Sequence, residues 1–234
     1  MRVFAIADPH LGHAVGKPMD VVGPAWAGHA ERMADGWRAT VGPDDVVLVA
    51  GDISWALKLE EAIPDLEFLH ALPGRKILLK GNHDYWWTSR AKVEAVLPPS
   101  MRLLQNAAVD LGDGIGVVGT RGWTPPGAPR ATGEDEKIYR REVGRLQLSI
   151  AAAGDRFRYR IAMLHYPPIY ADQGETEFVP LMREAGVDAC VYGHLHGPDH
   201  RFAVRGPRDG IHYYFVAADA IGFTPVEIDT GGVA

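Results

Sequence analysis

Residues Val46–Lys58 read VVLVAGDISWALK. Val46–Ala50 is a continuous apolar run, the pattern of a strand buried on both faces in an α/β sheet. Gly51 and Asp52 stop it, and a helical pattern resumes at Leu57. Taken alone, Asp52 is a turn residue or a cap for that helix. A carboxylate at the mouth of so apolar a strand also suits the carboxyl edge of a sheet, where open α/β sheets bind their ligands. The remainder of the chain decides between these readings.

The same punctuation recurs along the sequence. Arg2–Ala7 is a short apolar strand stopped by Asp8 and Pro9, and KILLKGNHD (76–84) runs from a strand into Gly-Asn-His-Asp. IGVVGTRG (115–122), RYRIAMLHYPP (158–168) and VDACVYGHLHG (187–197) are further strands that end in polar residues, and the tail Ile211–Ile228 reads as two or more strands. Helical spacing predicts a helix from Pro24 to about Thr40, with Trp26, Ala30, Met33 and Trp37 on one face. A second is predicted over Leu57–Leu72, with Leu59, Ile63, Leu66 and Leu69 aligned and Pro64 marking a kink or break. Thr88–Leu97 and residues 175–186 are shorter candidates, and the loop WTPPGAPRATGEDEK (123–137) leads into a charged helix ending near Ala153. Within it, GEDEKIYRREVGR reads as a solvated face. Helices alternate with strands early and strands dominate late, so the fold class is α/β with β-rich additions.

The chain has 234 residues, 47% of them hydrophobic, which suits one domain spanning 1–234 with a substantial core. Its formal net charge of -6 argues against bare nucleic acid as a partner, whose binding rests on Lys and Arg neutralising phosphates. Cys190 is the only cysteine, so no internal disulfide can form. The start, MRVFAIADPH, lacks a signal-peptide layout, and no run has the length of a membrane span. A cytoplasmic protein is expected.

The strand ends carry the chemistry. Asp8 and His10, Asp52, Asn82 with His83 and Asp84, His165, and His194 with His196 each follow a candidate strand. Each has a bland reading as a turn, a cap or a satisfied histidine. Turn chemistry does not account for metal-ligating residue types recurring at five strand ends. Carboxylate, amide and imidazole donors in this mixture suit divalent ions such as Mn²⁺, Fe²⁺ or Zn²⁺. The set is too large for one ion and fits two bridged by a carboxylate.

DPH at 8–10, GD at 51–52, GNHD at 81–84, His165 and GHLH at 193–196, in this order, resemble the signature of the calcineurin-like metallophosphoesterase superfamily. The resemblance implies a four-layer fold, a central β-sandwich with helices on both outer faces. It implies one metal on Asp8, His10, Asp52 and His196, and a second on Asp52, Asn82, His165 and His194, with Asp52 as the bridge. Asn82 would also lie against the substrate. His83 would stand beside the phosphate as a catalytic group, with Asp84 orienting it or serving as a turn acceptor. Every motif position is filled, which weighs against the alternative of a non-catalytic interaction module on the same fold.

Two cations about 3.5–4 Å apart clamp phosphoryl oxygens and lower the pKa of a bound water. In-line attack by a metal-bound hydroxide is the expected reaction, with His83 donating a proton or stabilising charge. Arg121 and Trp123 in GTRGW are candidate substrate contacts, an arginine fork for a phosphate oxygen and a ring to stack upon. The protein phosphatases of the superfamily carry Asp-Arg-Gly soon after Gly-Asp. Here the continuation is GDISWALK, which turns the reading toward a small phosphomonoester or phosphodiester, including nucleotides.

Overall fold

The computed structural model describes residues 1–17, 19–21, 23–128 and 131–231. Pro129 and Arg130 of the Pro- and Gly-rich loop lie outside them. In chain order the strands and helices are β1 (Val3–Ile6), α1 (His29–Thr40), β2 (Val46–Ala50), α2 (Leu59–His70), β3 (Arg75–Leu79), α3 (Arg90–Glu94), β4 (Met101–Leu103), β5 (Val109–Gly112), β6 (Ile115–Thr120) and α4 (Gly133–Ala153). They continue with β7 (Tyr159–Leu164), β8 (Ile169–Tyr170), β9 (Gly174–Glu175), α5 (Phe178–Glu184), β10 (Ala189–Tyr192), β11 (Gly206–Arg208), β12 (Ile211–Phe215) and β13 (Val226–Ile228).

Two sheets stack face to face. One has the order β13-β1-β2-β3-β4 and the other β11-β12-β10-β7-β6-β5, while β8 and β9 form a separate hairpin. Strands β1 to β4 are mutually parallel, as are β6, β7, β10 and β12; the antiparallel strands β13, β11 and β5 lie at sheet edges. Residues just past β1 and β12 tie the sheets together through the parallel bridge of Ala7 with Ala217.

The apolar run at Val46 is explained by these layers. Val47 and Val49 pack with Met33 and Trp37 of α1 and Leu66 and Leu69 of α2. Val46, Leu48 and Ala50 face the other way, onto Ile161, Met163 and Val191 of the second sheet. That sheet turns Val118, Ala162, Leu164 and Tyr192 outward onto Tyr139 and Leu146 of α4 and Phe178 of α5. The result is the four-layer helix–sheet–sheet–helix arrangement.

Several local expectations change. The first helix does not start at Pro24: a short 3-10 turn spans Pro24–Trp26, and Gly28, with φ 59, breaks the path before α1. Pro64 interrupts nothing, since α2 runs through it with Ala62, Leu66 and Leu69 buried. The acidic run at 134–136 is the first turn of α4, because Thr132 Oγ1 accepts from Asp135 N–H (3.2 Å) and Asp135 accepts from Thr132 N–H (2.8 Å). The face read as solvated also holds buried residues, Tyr139 and Glu142. Among the described residues no helix is long and apolar enough to cross a membrane.

Candidate metal centre

β1, β2, β3, β7 and β10 deliver their following residues to one edge of the sandwich. Asp8 and His10 follow β1, Asp52 follows β2, Asn82 and His83 follow β3, His165 follows β7, and His194 and His196 follow β10. The backbone there is unusual. Asp8 (φ 58), His10 (φ 47), Asp52 (φ 51) and His194 (φ 74) all lie in the left-handed region. Such conformations cost on the order of 1–3 kcal/mol each and persist where surrounding contacts enforce them. The enforcing contacts are present. Asp8 N–H donates to the Gly51 carbonyl and His10 N–H to that of Asp52, both at 3.0 Å. His194 N–H donates to Asp8 Oδ2 (2.9 Å), and His83 N–H donates to Asp52 Oδ1 (2.7 Å). Gly81 and Gly193 are required by close approach, because a Cβ on either would overlap Asp52 or the Asp8 carboxylate respectively.

Two donor groups converge. One ligand atom each from Asp8, His10 and His196 lie within 4.8 Å of one another, as do those of Asp8, Asp52 and His165. His10 Nε2 and His196 Nε2 are 3.4 Å apart and aim at the same region. Asp52 Oδ2 faces both sides, 3.8 Å from His10 Nε2 and 3.4 Å from His165 Nε2. Asn82 Oδ1 lies 2.7 Å from His165 Nε2 and 3.0 Å from His194 Nδ1. All seven residues expected to ligate metal are therefore neighbours. Asp8 contributes to both groups, so it stands as close to a shared position as Asp52 does. Asp8 Oδ1 is buried with no hydrogen-bond partner among the described residues. An orphaned carboxylate oxygen facing several imidazole nitrogens is what a divalent cation fits.

Electrostatics follow from burial and crowding. Burial raises the Asp8 carboxyl to about 6, against the pull of His196 and His165. Burial lowers the His10 imidazole to about 3. Burial also opposes charge on Asp52, yet His165, His10 and the His83 N–H outweigh it and hold that carboxyl well below the usual range. His165 moves up to about 9, since Asp52 and Asp8 more than offset its burial. His194 is pushed well down by burial. Asp52 Oδ2 and His165 Nε2, 3.4 Å apart, thus favour each other's charged forms.

The remaining expected residues separate into two groups. The His83 ring packs 4.7 Å from Trp55 and 5.8 Å from His10, at the mouth of the cluster. Burial lowers its pKa below the ordinary imidazole value. Asp84 does not orient it. The Asp84 carboxylate accepts from the N–H groups of Ile53 (2.8 Å), Ser54 (3.1 Å) and Gly81 (2.7 Å) and from Trp86 Nε1 (2.9 Å), which makes it the turn acceptor. Arg121 turns away from the cluster: its guanidinium lies 3.3 Å from Glu142 and 4.3 Å from the centre of the Trp123 ring. Trp123 Nε1 donates to Asp135 (2.9 Å), and its ring packs on Tyr166, which in turn stacks on His194 at 3.8 Å.

Three neighbours carry no motif in the sequence. Asp219 Oδ1 accepts from His196 Nδ1 at 3.0 Å. The Trp55 ring stacks on His10 at 4.7 Å. Tyr166 covers His194. Only Tyr166, next to His165, stands beside a recognised position in the sequence.

Residues 1–198 match the model of the calcineurin-like phosphoesterase family, and the chain belongs to that family. A segment of 84 residues is 40% identical to the Gene 66 protein of Mycobacterium phage D29, covering 36% of this chain and 40% of that protein. The match thus spans about two fifths of that relative's length. The fold is similar to the phosphopantetheinyl hydrolase of Mycobacterium tuberculosis, with TM-score 0.58 and 16% identity over 100% of this chain and 97% of that one. It is also similar to a putative 5'-nucleotidase from Staphylococcus aureus, with TM-score 0.51 and 13% identity over 90% of this chain and 48% of that one.

Proposed function

We propose that this chain hydrolyses a small phosphomonoester or phosphodiester, nucleotide-like compounds among them, at a centre of two divalent ions. The observation that carries this reading is the convergence of Asp8, His10, Asp52, His165 and His196 from separate strand ends. Asp8, His10, Asp52 and His196 would hold one ion and Asp52, Asn82, His165 and His194 the other, with Mn²⁺ preferred. Such ions supply Lewis acidity toward phosphoryl oxygens and an activated water.

The protein's own groups prepare that chemistry. Asp52, whose Oδ2 faces His10 at 3.8 Å and His165 at 3.4 Å, would be the residue shared between the ions. His165 Nδ1 donates to the Ala50 carbonyl (3.0 Å) and His196 Nδ1 to Asp219, which leaves each Nε2 turned to the cluster. From outside the ligand set, His83 donates a hydrogen bond from its ring N–H to the leaving oxygen, or a proton when it is imidazolium. Asn82 would also lie against the substrate. Trp55, stacked on His10 and packed on His83, excludes water from one side. Buried, free Cys190 suits a reducing compartment and supports a cytoplasmic setting.

The test is a phosphoester panel with and without Mn²⁺: p-nitrophenyl phosphate, bis-p-nitrophenyl phosphate, nucleotides, cyclic nucleotides and a phosphopantetheine compound. Metal-dependent hydrolysis of at least one class is expected. Stoichiometric metal binding with no turnover on any class would leave a binding module instead.

A further inference from the structure

A polar cavity of about 210 Å³ opens where the carboxyl ends of β3 and β6 meet the middle of α4. It uses none of the clustered ligand residues but adjoins them. Lys80 in its wall lies two residues before Asn82, at most about 7 Å along the chain. The backbone carbonyl of Arg121, also in the wall, accepts from His165 N–H at 3.1 Å.

The cavity has a surplus of cations. Lys80, Arg121, Arg141 and Arg145 line it against one carboxylate, Glu142, a formal excess of three positive charges. Glu142 is buried and already engaged. Its Oε2 accepts from Thr120 Oγ1 (2.6 Å), and its Oε1 takes Arg145 (2.6 Å) and Arg121 (3.3 Å), with Arg141 4.0 Å away. Lys80 Nζ donates to the Trp87 carbonyl (2.5 Å) and pairs with no carboxylate among the described residues. Arg121 Nε is buried with no hydrogen-bond partner among them.

Cations of one sign gathered in a half-buried cavity repel one another and lose hydration, and a bound anion relieves both costs. Guanidinium forks match the oxygens of phosphate, and the ammonium of Lys adds a point charge. The volume is below the roughly 300–1,000 Å³ of pockets that take drug-sized ligands, so one oxyanion group fits and a whole nucleotide does not. We infer that this cavity is a second anion site, outside the metal centre, that takes a phosphate-class oxyanion on Lys80, Arg121 and Arg145, with Arg141 at its mouth. Its ligand is free inorganic phosphate or a second phosphate group of the substrate, recognised by the same chemistry. The site does not depend on turnover at the metal centre.

Crystals of the Mn²⁺-treated full chain soaked in tungstate test it, since tungsten is located by anomalous scattering. A peak within hydrogen-bond reach of Arg121 and Arg145 is expected, and it is expected to vanish in the R141Q/R145Q variant. Tungsten confined to the Asp52 cluster, or a cavity peak that survives the double substitution, overturns the proposal; the wild-type soak stands even if the variant fails to fold. Kinetics separate the two sources. If the ligand is a substrate phosphate, R141Q/R145Q raises KM for adenosine 3',5'-bisphosphate by roughly tenfold and leaves p-nitrophenyl phosphate unchanged. If it is free phosphate, the variant loses the non-competitive component of inhibition by phosphate. A variant with neither change contradicts the site.

Discussion

Asp219 Oδ1 lies 3.0 Å from His196 Nδ1, and this contact decides which nitrogen His196 turns toward Asp8 and His10. Asp219 also accepts from Gly197 N–H at 3.0 Å, so the carboxylate fixes both the ring and the backbone just beyond it. Removing an outer partner of this kind costs roughly 10–100-fold in metal affinity. Asp219→Ala should weaken Mn²⁺ binding by that factor in calorimetric titration, with the circular dichroism spectrum unchanged. Asp219→Asn should fall between the two, because an amide oxygen still accepts from Nδ1–H. Equal affinity in all three proteins would remove Asp219 from the account.

His83 stands outside the ligand cluster, against Trp55. His83→Ala should therefore keep its full metal content while kcat falls by about 10²–10⁴-fold, the usual range for a lost proton donor. Elemental analysis beside steady-state kinetics on the best phosphoester checks this. Loss of a metal equivalent on that substitution would place His83 among the ligands.

Asp84 ties the turn after β2 to the turn after β3 through four buried donors. Asp84→Ala leaves those donors unsatisfied, and unfolding in urea should show a loss of about 3–5 kcal/mol. A change below about 1 kcal/mol would mean that the turns hold without it.

Asp45 offers a pH signature away from the site. Its burial opposes ionisation, but N–H groups of Gly42 and Arg2 and the Arg2 guanidinium hold its carboxyl below the ordinary 3.8. A depressed carboxylate stabilises the fold above its unfolded pKa and loses that contribution as pH falls through the folded value. Asp45→Asn should cost about 1 kcal/mol at pH 7, limited by solvent around the half-exposed Arg2. The difference from wild type should close as pH falls below the ordinary carboxylate range. A gap constant down to pH 2 would contradict the assignment.

The ligand cluster was legible because each member lies within four residues of the end of an apolar strand, and Asp, Asn and His are the residue types that recur there. The strained backbone at Asp8, His10, Asp52 and His194 left no trace, since only contacts between distant turns enforce it. Asp219 was silent for a similar reason: one carboxylate in AADAIG carries no pattern, and its partner His196 is 23 residues away. The run at Val46 announced two buried faces without saying that a second sheet covers one of them. The short strands β4 and β5 lacked the length to signal. Sequence proximity does not reveal that the Arg121 guanidinium meets Glu142, buried on α4 and 3.3 Å away. The acidic and basic run of α4 was read as solvated, yet its Arg141, Glu142 and Arg145 line a cavity.

The central claim is that the strand-end residues hold two ions with Asp52 between them. Metal analysis of wild type and Asp52→Asn, each loaded with Mn²⁺ and desalted, tests it most directly. Two equivalents per wild-type chain and one or fewer in the variant are predicted. A wild-type chain that retains fewer than two, or a variant that retains both, would contradict it.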